Sequence, residues 1–309
     1  MEKDFHYFLI YAISKITGNP DAEITAYASQ FVDDNNEGQF SVDGRRMPFP
    51  TQLESASGYY YPIMTQSLSP KSLSVDVQKY VYVPFHFLPG DNTVEIEGKK
   101  NLLNTTPDSP NARALLNHAL KSDNPYLIGI AVHTFADTWS HQNFTGLRED
   151  WNSVYPWYKV TKSIAPNVGH AEAGHSPDVI DDVWIDYRFG DGGVIISNRE
   201  RALKAVKELY IAFRKKWGGP TWTEIKKTIK HIINTPGYDQ RIDVIDQFLN
   251  ENQFGGIPRY NKNTWIDQAL EREGIKVRLR DNYENSHWYH FHQAAKEQFA
   301  FTMNLIKGI

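Results

Sequence analysis

Apolar residues recur at three- and four-residue spacing from the start of the chain, which predicts amphipathic helices. The first helix is expected over about residues 4–17 and should end at Gly18, because glycine favours a helix C-terminus. A second helix begins directly after it. Asn19 can cap its first turn, and its pattern ends near the acidic pair Asp33 and Asp34.

The pattern changes over about residues 39–107, where short alternating stretches are bounded by proline, glycine and asparagine. The stretches QKYVYVPFHFLPG and NTVEIEG predict a small β element or extended loops in this insertion. Helical spacing returns after Ser109 and again after Asn124, and each of these residues precedes a proline that fits a first helical turn.

Residues 150–197 are rich in proline, glycine, tryptophan and histidine and show little periodicity, whereas the helical pattern resumes at Asn198. We therefore expect a mainly α fold with many helices and a small β or extended insertion. The predicted organisation is a helical core over residues 1–197, followed by a helical C-terminal part over residues 198–309 that packs on the same domain.

Composition and charge narrow the range of functions. The chain contains 33 basic and 37 acidic side chains, giving a net charge of −4, so we do not expect it to bind duplex nucleic acid through the phosphates. It contains no cysteine, which excludes disulfides and thiolate metal sites. Any metal ligands must therefore come from histidine, aspartate, glutamate, the backbone or water.

Two further expectations concern location. No apolar run approaches the roughly 18 residues that a membrane-spanning helix needs. The first residues carry an acidic side chain at Glu2 and no small-residue cleavage site, so they do not resemble a signal peptide. The sequence therefore predicts no transmembrane segment and a cytoplasmic location, and it leaves the oligomeric state open.

The clearest chemical signal is His133, Asp137 and His141, which recur every fourth residue at the end of the apolar run YLIGIAV. On an α-helix each such step drifts by only about 40° around the axis and rises by about 6 Å. The three side chains therefore form one stripe, and the outer pair is too far apart to share one ion. This spacing predicts that Asp137 lies between two metal ions, with His133 on one and His141 on the other.

The alternative is a buried helix whose polar side chains satisfy one another in a hydrogen-bond network. A metal site would also need ligands from other elements, and the sequence offers seven more candidates. These are His6, Asp33, Asp34, His86, His170, His175 and Asp178. Each alone has a structural explanation, such as a core histidine, a solvated helix end or an N-cap. Histidine and carboxylate ligands suit Zn²⁺, with Mn²⁺ or Fe²⁺ as alternatives.

The order of these motifs resembles the zinc-dependent phospholipase C and single-strand-specific nuclease superfamily. The stretches DFHYFLIYAISKITG, AYASQFVDD, PFHFLPG, HTFADTWSHQNFTG and GHAEAGHSPD are also similar to an uncharacterised bacterial family near that superfamily. The likeness covers roughly the first 190 residues. It implies an almost all-helical, phospholipase C-like bundle with zinc ions that hydrolyse phosphate esters.

The resemblance also implies a ligand set for each ion. One zinc would be held by His133 and Asp137, with His86 and either Asp33 or Asp34. A second would be held by His141 and Asp178 together with one or both of His170 and His175. A third would be held by His6 together with a shared Asp137.

The sequence departs from the superfamily pattern in three places. No tryptophan stands at the start of the chain, the gap between Asp137 and His141 is three residues where the superfamily has five, and Asp178 follows His175 at the third position and not the fourth. A site with two metal ions is therefore the safer expectation, and a third ion is the less secure part of the resemblance.

The resulting hypothesis is a metal-dependent hydrolase of phosphoric esters, acting on a small phosphoester or a phospholipid. In it, Asp33 or Asp34 orients or deprotonates the attacking water. An HD-type phosphohydrolase is a second hypothesis, although the chain lacks the adjacent His-Asp pair of that class. A third is a metal-stabilised binding or structural protein without catalysis, in which every coordination position is filled by the protein.

Overall fold

The structure is a computed structural model that describes residues 1–42, 49, 52–56, 58–90, 93–155, 166–190, 192–274 and 276–308. The fold is mainly helical, with small two-stranded sheets. The predicted insertion at about residues 39–107 lies partly outside the described residues, at positions 43–48, 50–51, 57 and 91–92.

The α-helices of the described residues are α1 Ile10–Ile16, α2 Ala22–Asp34, α3 Val75–Val77, α4 Val83–Phe85, α5 Pro110–Lys121, α6 Pro125–Ser140, α7 Asn198–Trp217, α8 Trp222–Asn234, α9 Tyr238–Glu251, α10 Asn263–Ala269 and α11 His287–Leu305. Two π-helical segments, Asp4–Leu9 and Gln78–Tyr82, lead into α1 and α4. The predicted helix starts at Pro110 and Pro125 are confirmed, with Ser109 and Asn124 as side-chain caps.

Each sheet of the described residues is one antiparallel hairpin. The strands are β1 Leu53–Ser55, β2 Gly58–Tyr60, β3 Glu95–Ile96, β4 Lys99–Lys100, β5 Val183–Asp186, β6 Val194–Ser197, β7 Leu270–Glu273 and β8 Lys276–Leu279. The β3–β4 hairpin confirms the β element that the alternation in NTVEIEG predicts. The β5–β6 and β7–β8 hairpins were not predicted, because their strands are only four residues long.

The expectation of a β element in QKYVYVPFHFLPG was wrong, because this segment is helical from Gln78 to Phe85. Its valines and aromatics suggested a strand, but Val77, Val81 and Phe85 are buried while Tyr80 is exposed. That four-residue repeat places one helical face on the core, and packing of this face outweighs the β preference of individual residues.

Helix α6 is the central element of the fold. It packs against α2, α5, α7 and α11, so that neighbours cover it on several sides. From Leu127 to Ser140, Trp139 is the single residue that is not buried. The main hydrophobic core draws residues from both the first 197 positions and the later helices. Because neighbouring helices surround α6, the polar residues near its C-terminal end lie inside the protein.

The crossing of α2 and α6 is unusually close at Gly129. A Cβ atom at this position would lie 2.4 Å from the carbonyl oxygen of Thr25 and 2.6 Å from Cβ of Ala28. A glycine is therefore required for the two backbones to approach this closely. The approach matters for the site because His133 lies one turn after Gly129 and Asp33 lies two turns after Thr25.

Among the described residues, none of the helices combines the length and the apolar character that crossing a membrane would require.

Candidate metal centre

Three groups of histidine and aspartate side chains lie next to one another at the end of α6. The first is the Asp33 group, formed by Asp33, His86 and His133. The second is the Asp178 group, formed by His141, His170 and Asp178. The third is the His6 group, formed by His6, His133 and Asp137. Within each group the potential ligand atoms all lie within 4.8 Å of one another.

Asp137 lies at the meeting point of the three groups and is 1% exposed. Its Oδ2 atom is 3.1 Å from Nδ1 of His86 and 3.1 Å from Nε2 of His133. Its Oδ1 atom is 3.1 Å from Nε2 of His6, and Nδ1 of His141 lies 3.7 Å from Oδ2. This central position agrees with the spacing argument for an aspartate that lies between two ions.

The Asp178 group is assembled from two segments. Nε2 of His141 is 3.0 Å from Oδ1 of Asp178, and Nε2 of His170 is 3.1 Å from Oδ2 of the same carboxylate. The two imidazole rings stack, with their centroids 4.7 Å apart. Phe87 also stacks on His141 with a centroid distance of 4.5 Å, and its ring centroid is 6.0 Å from that of His170. The rings are therefore held in fixed orientations.

Three of the histidines use one ring nitrogen to bind a backbone carbonyl. His86 Nε2 donates to the oxygen of Thr65 at 2.9 Å, and His141 Nδ1 donates to the oxygen of His86 at 2.9 Å. His170 Nδ1 donates to the oxygen of Gly174 at 2.9 Å. Because a carbonyl oxygen can only accept, each of these nitrogens must carry a proton, and it carries the single ring proton when the imidazole is neutral.

The consequence is that the other nitrogen of each neutral ring carries a lone pair, and this lone pair points into the site. These nitrogens lie within hydrogen-bonding distance of carboxylate oxygens. In such a pair, however, neither the nitrogen nor the oxygen has a proton to donate. The arrangement is stable only if the rings are doubly protonated or if a cation lies between the two acceptors. Carbonyl-oriented histidines facing carboxylates are typical of metal sites.

The distances suit a small divalent ion. Two donors that are each about 2.1 Å from a tetrahedral zinc ion lie about 3.4 Å apart. In the Asp33 group the corresponding separations are 3.2 Å from His133 Nε2 to His86 Nδ1, 3.6 Å from His133 Nε2 to Asp33 Oδ1, and 3.9 Å from His86 Nδ1 to Asp33 Oδ1. The donor set therefore fits zinc without a large rearrangement.

The charges of the site also favour a bound cation. Among the described residues, no lysine or arginine side chain lies within 4.0 Å of the carboxylates of Asp33, Asp137 or Asp178. The amino group of Met1 is 2.7 Å from Asp137 and 3.1 Å from Asp178, which gives one positive charge for three carboxylates. Buried carboxylates without compensating charge are costly.

Burial and neighbouring charges shift the pKa values within the site. Burial lowers the pKa of the His141 imidazole, which favours its neutral form despite the nearby carboxylates. Burial also opposes ionisation of Asp178, but the Met1 amino group, His170 and His141 hold its pKa well below the usual range. Burial acts in the same direction on Asp137, and the Met1 amino group and neighbouring imidazoles again outweigh it and lower its pKa. Neutral imidazole and ionised carboxylate are the forms that bind metal.

The site forms the floor of an open cavity of about 760 Å³. Six of its side chains line that cavity, namely Asp33, His86, Asp137, His141, His170 and Asp178. The walls combine polar side chains such as Gln66 and Lys3 with apolar ones such as Leu68 and Phe87. A molecule from solvent can therefore reach the carboxylates and imidazoles, which distinguishes this site from a closed structural metal site.

The structure brings together eight of the ten residues selected from the sequence and leaves two apart. Asp34 points away from the groups and accepts hydrogen bonds from Tyr260 at 2.7 Å and Gln30 at 3.3 Å. His175 is exposed and lines the cavity, outside the three groups. Of Asp33 and Asp34, between which the sequence left the choice open, only Asp33 lies in one of the three groups.

Some of the groups that orient the histidines could not be identified from the sequence. The carbonyl groups of Thr65 and Gly174 orient two of the histidines, but every residue carries a carbonyl and nothing in a side chain marks these two. The histidines of the sequence SHWYHFH lie elsewhere, since His287 contacts Tyr126 and His292 accepts from the backbone nitrogen of Ile63. Helix spacing alone could not show whether these histidines reach the candidate metal centre.

A model of a protein family of unknown function, DUF6765, matches residues 1–306. The chain belongs to this family. No curated protein and no solved structure matches it. The match covers both the segments that carry the three groups and the C-terminal helices.

Proposed function

We propose that this protein is a metal-dependent hydrolase of phosphoric esters. The observation that carries the proposal is the set of imidazole nitrogens that face buried carboxylates on the floor of an open cavity. A bound cation would stabilise such an arrangement, and the opening would give a substrate access to it. Zinc suits the donor set best, with manganese or iron as alternatives.

The residues divide into two ligand sets around a shared carboxylate. The Asp33 group and Asp137 would hold one ion, and the Asp178 group with Asp137 would hold a second, since the Met1 amino group lies within 3.1 Å of both Asp137 and Asp178. His6 contacts the Oδ1 atom of Asp137 and is the candidate ligand for a third ion. Two such ions acidify a water molecule and neutralise the charge of a phosphoryl group.

Asp33 is the carboxylate best placed to act on water. Its side chain is 29% exposed, whereas that of Asp137 is 1% exposed, and it lines the cavity. Burial and the charge of Asp137 raise its pKa, while His133 and His86 lower it, and the net direction is upward. As the more exposed carboxylate, Asp33 is the one that a water molecule in the cavity can contact and pass a proton to.

The resemblance to the zinc-dependent phospholipase C and nuclease superfamily supports the choice of phosphoric esters. The chain order His6, Asp33, His86, His133, Asp137, His141, His170 and Asp178 follows the motif order of that superfamily. The mainly helical fold is compatible with a phospholipase C-like bundle. The proposed substrate is a small phosphoester or a phospholipid whose apolar part contacts the walls near Leu68 and Phe87.

The test combines metal analysis with a hydrolysis assay on bis(p-nitrophenyl) phosphate. We expect the purified protein to contain zinc and to hydrolyse the diester, and Asp33→Asn to reduce the rate by about 100-fold or more. Asp34→Asn is the matched control, because Asp34 is the neighbouring carboxylate outside the site. His118→Gln is a second control, since this histidine pairs with Glu297 on the surface.

Two results would count against the proposal. A protein that binds no divalent metal would contradict it entirely. A protein that binds metal tightly but hydrolyses no phosphomonoester, phosphodiester or phospholipid would favour the alternative, a metal-stabilised binding or structural protein.

A further inference from the structure

The C-terminal helices carry none of the proposed ligands, yet one of their side chains reaches the segments that do. Arg241 on α9 is 1% exposed. Its guanidinium donates to the carboxylate of Asp4 and, at 2.7 Å, to Oδ1 of Asp181. It also donates to the backbone oxygen of Thr235 at 3.1 Å. A planar guanidinium can hold two carboxylates in a fixed relative geometry.

The two carboxylates belong to different ligand-bearing segments. Asp4 lies two residues before His6 on the π-helical segment Asp4–Leu9. Asp181 lies three residues after Asp178. The backbone adds one bond between these segments, from the nitrogen of Glu2 to the oxygen of Asp178 at 3.2 Å. The arginine therefore connects the chain segment of the His6 group with that of the Asp178 group.

We infer that Arg241 is a positioning residue that sets the distance between the His6 side and the Asp178 side of the proposed metal centre. This inference rests on the proposed function, because it concerns the same site. It gives the C-terminal part of the chain a defined role. The Asp33 group does not depend on this connection, since its ligands lie on α2, on α6 and directly after α4.

The structure provides a closely matched control in Arg188. Its guanidinium forms an ion pair with Asp186 at 2.6 Å, and the two side chains are 3% and 1% exposed. The side chains of Arg241 and Asp4 are 2% and 3% exposed. Replacing either arginine by methionine leaves a buried carboxylate without its partner, so both variants are expected to lose stability. Arg188 donates to the backbone oxygen of Asn143, two residues after His141, but only Arg241 connects the segment of His6 with the segment of Asp178.

The experiment measures zinc per chain and zinc affinity by chelator competition, at a temperature where circular dichroism shows each variant folded. Removing a residue that orients ligands typically weakens metal binding by about 10- to 100-fold. We expect that loss for one class of zinc in Arg241→Met, while the zinc of the Asp33 group is retained. Arg241→Lys should lie between wild type and Arg241→Met, because lysine keeps the charge but not the two-pronged geometry. Arg188→Met should bind zinc as wild type does.

If Arg241→Met does not fold, Asp181→Asn decides the question, because it weakens the bond from Arg241 to Asp181 and leaves the pair between Arg241 and Asp4 in place. Arg199→Met is its control, because Asp181 also pairs with Arg199. Wild-type zinc affinity in Arg241→Met or Asp181→Asn would overturn the inference, as would an equal loss in Arg188→Met. These outcomes leave the proposed function intact. A wild-type protein that binds no zinc would overturn both.

Discussion

Two buried aspartates of this protein are compensated in opposite ways. Asp186 and Asp137 are each 1% exposed. Asp186 is bound by the fork of Arg188, with nitrogen–oxygen distances of 2.9 and 2.6 Å, and the same arginine donates to the backbone oxygens of Asn143 and Trp151. Asp137 is instead surrounded by imidazoles and the Met1 amino group.

This difference indicates how a carboxylate with a structural role can be distinguished from a candidate metal ligand. The Asp186 pair is complete within the protein, because each donor has an acceptor and the charges cancel. The surroundings of Asp137 and its neighbour Asp178 are incomplete, because the ring nitrogens that face them, from His86 on Asp137 and from His141 and His170 on Asp178, belong to imidazoles whose other nitrogens donate to carbonyls. We therefore propose a cation at this site, which the protein leaves short of positive charge.

The largest expected effect comes from replacing the two aspartates separately. Asp137→Asn should remove the shared ligand and reduce zinc content and diester hydrolysis by more than about 100-fold, beyond the loss typical of an outer partner. Asp186→Asn should lower the free energy of unfolding by about 3 kcal/mol, as expected for a broken buried pair, and leave the zinc content unchanged. Metal analysis and urea denaturation of both variants provide the measurement.

Two results from these variants would contradict the distinction between Asp137 and Asp186. An Asp137→Asn protein with full zinc content would show that the aspartate belongs to a hydrogen-bond network. An Asp186→Asn protein that loses zinc would show that the two carboxylates are not functionally separate.

Removing the metal should have the next largest effect. A ligand present at about a thousand times its dissociation constant stabilises the folded state by about 4 kcal/mol per site. At roughly 2 °C per kcal/mol, chelation should lower the melting temperature by about 8 °C for one site and by more for two. Differential scanning fluorimetry with and without chelator measures the shift, and added zinc should restore it. An unchanged melting temperature would mean that no metal supports the fold.

A smaller and more local difference is expected between two histidines of one segment. His170 belongs to the Asp178 group, whereas His175 is exposed and lies outside the groups. His170→Asn should weaken one class of zinc by about 10-fold or more, and His175→Asn should change it by less than about twofold. Chelator competition measures both affinities. A larger loss in His175→Asn would place that residue among the ligands after all.

The sequence was informative where periodicity and side-chain chemistry coincide. The stripe of His133, Asp137 and His141 could be placed on one helix from its spacing, and the capped starts of α5 and α6 followed from Ser109 and Asn124. These features are local, so a few neighbouring residues determine them. The same holds for the end of α2 at Asp34, close to the expected position.

Features that depend on distant contacts could not be predicted. The helix at Gln78–Phe85 forms because its valines reach the core, which no short window of sequence reveals. The choice of Asp33 over Asp34 depends on which side of α2 faces α6. The pairing of Arg241 with Asp4 joins residues that are 237 positions apart. In each case the tertiary structure decides between options that the sequence leaves equal.

The smallest expected effect tests the helix crossing that brings the Asp33 group together. Alanine normally stabilises a helix interior by about 1 kcal/mol relative to glycine. At Gly129, however, the new methyl group would lie 2.4 Å from the carbonyl oxygen of Thr25, and a backbone atom cannot move away without moving α2. Overpacking of this kind costs about 1–3 kcal/mol, so Gly129→Ala should be neutral or destabilising by up to about 2 kcal/mol.

The same displacement should lengthen the separation of 3.6 Å between Asp33 and His133, and so weaken zinc in the Asp33 group while leaving the Asp178 group unchanged. Gly192→Ala is the control, because a Cβ there would meet nothing within 4 Å. Urea denaturation and chelator competition on both variants give the two readouts. A Gly129→Ala protein that is more stable than wild type and binds zinc normally would show that α2 can shift without cost, and that the close crossing does not set the geometry of the site.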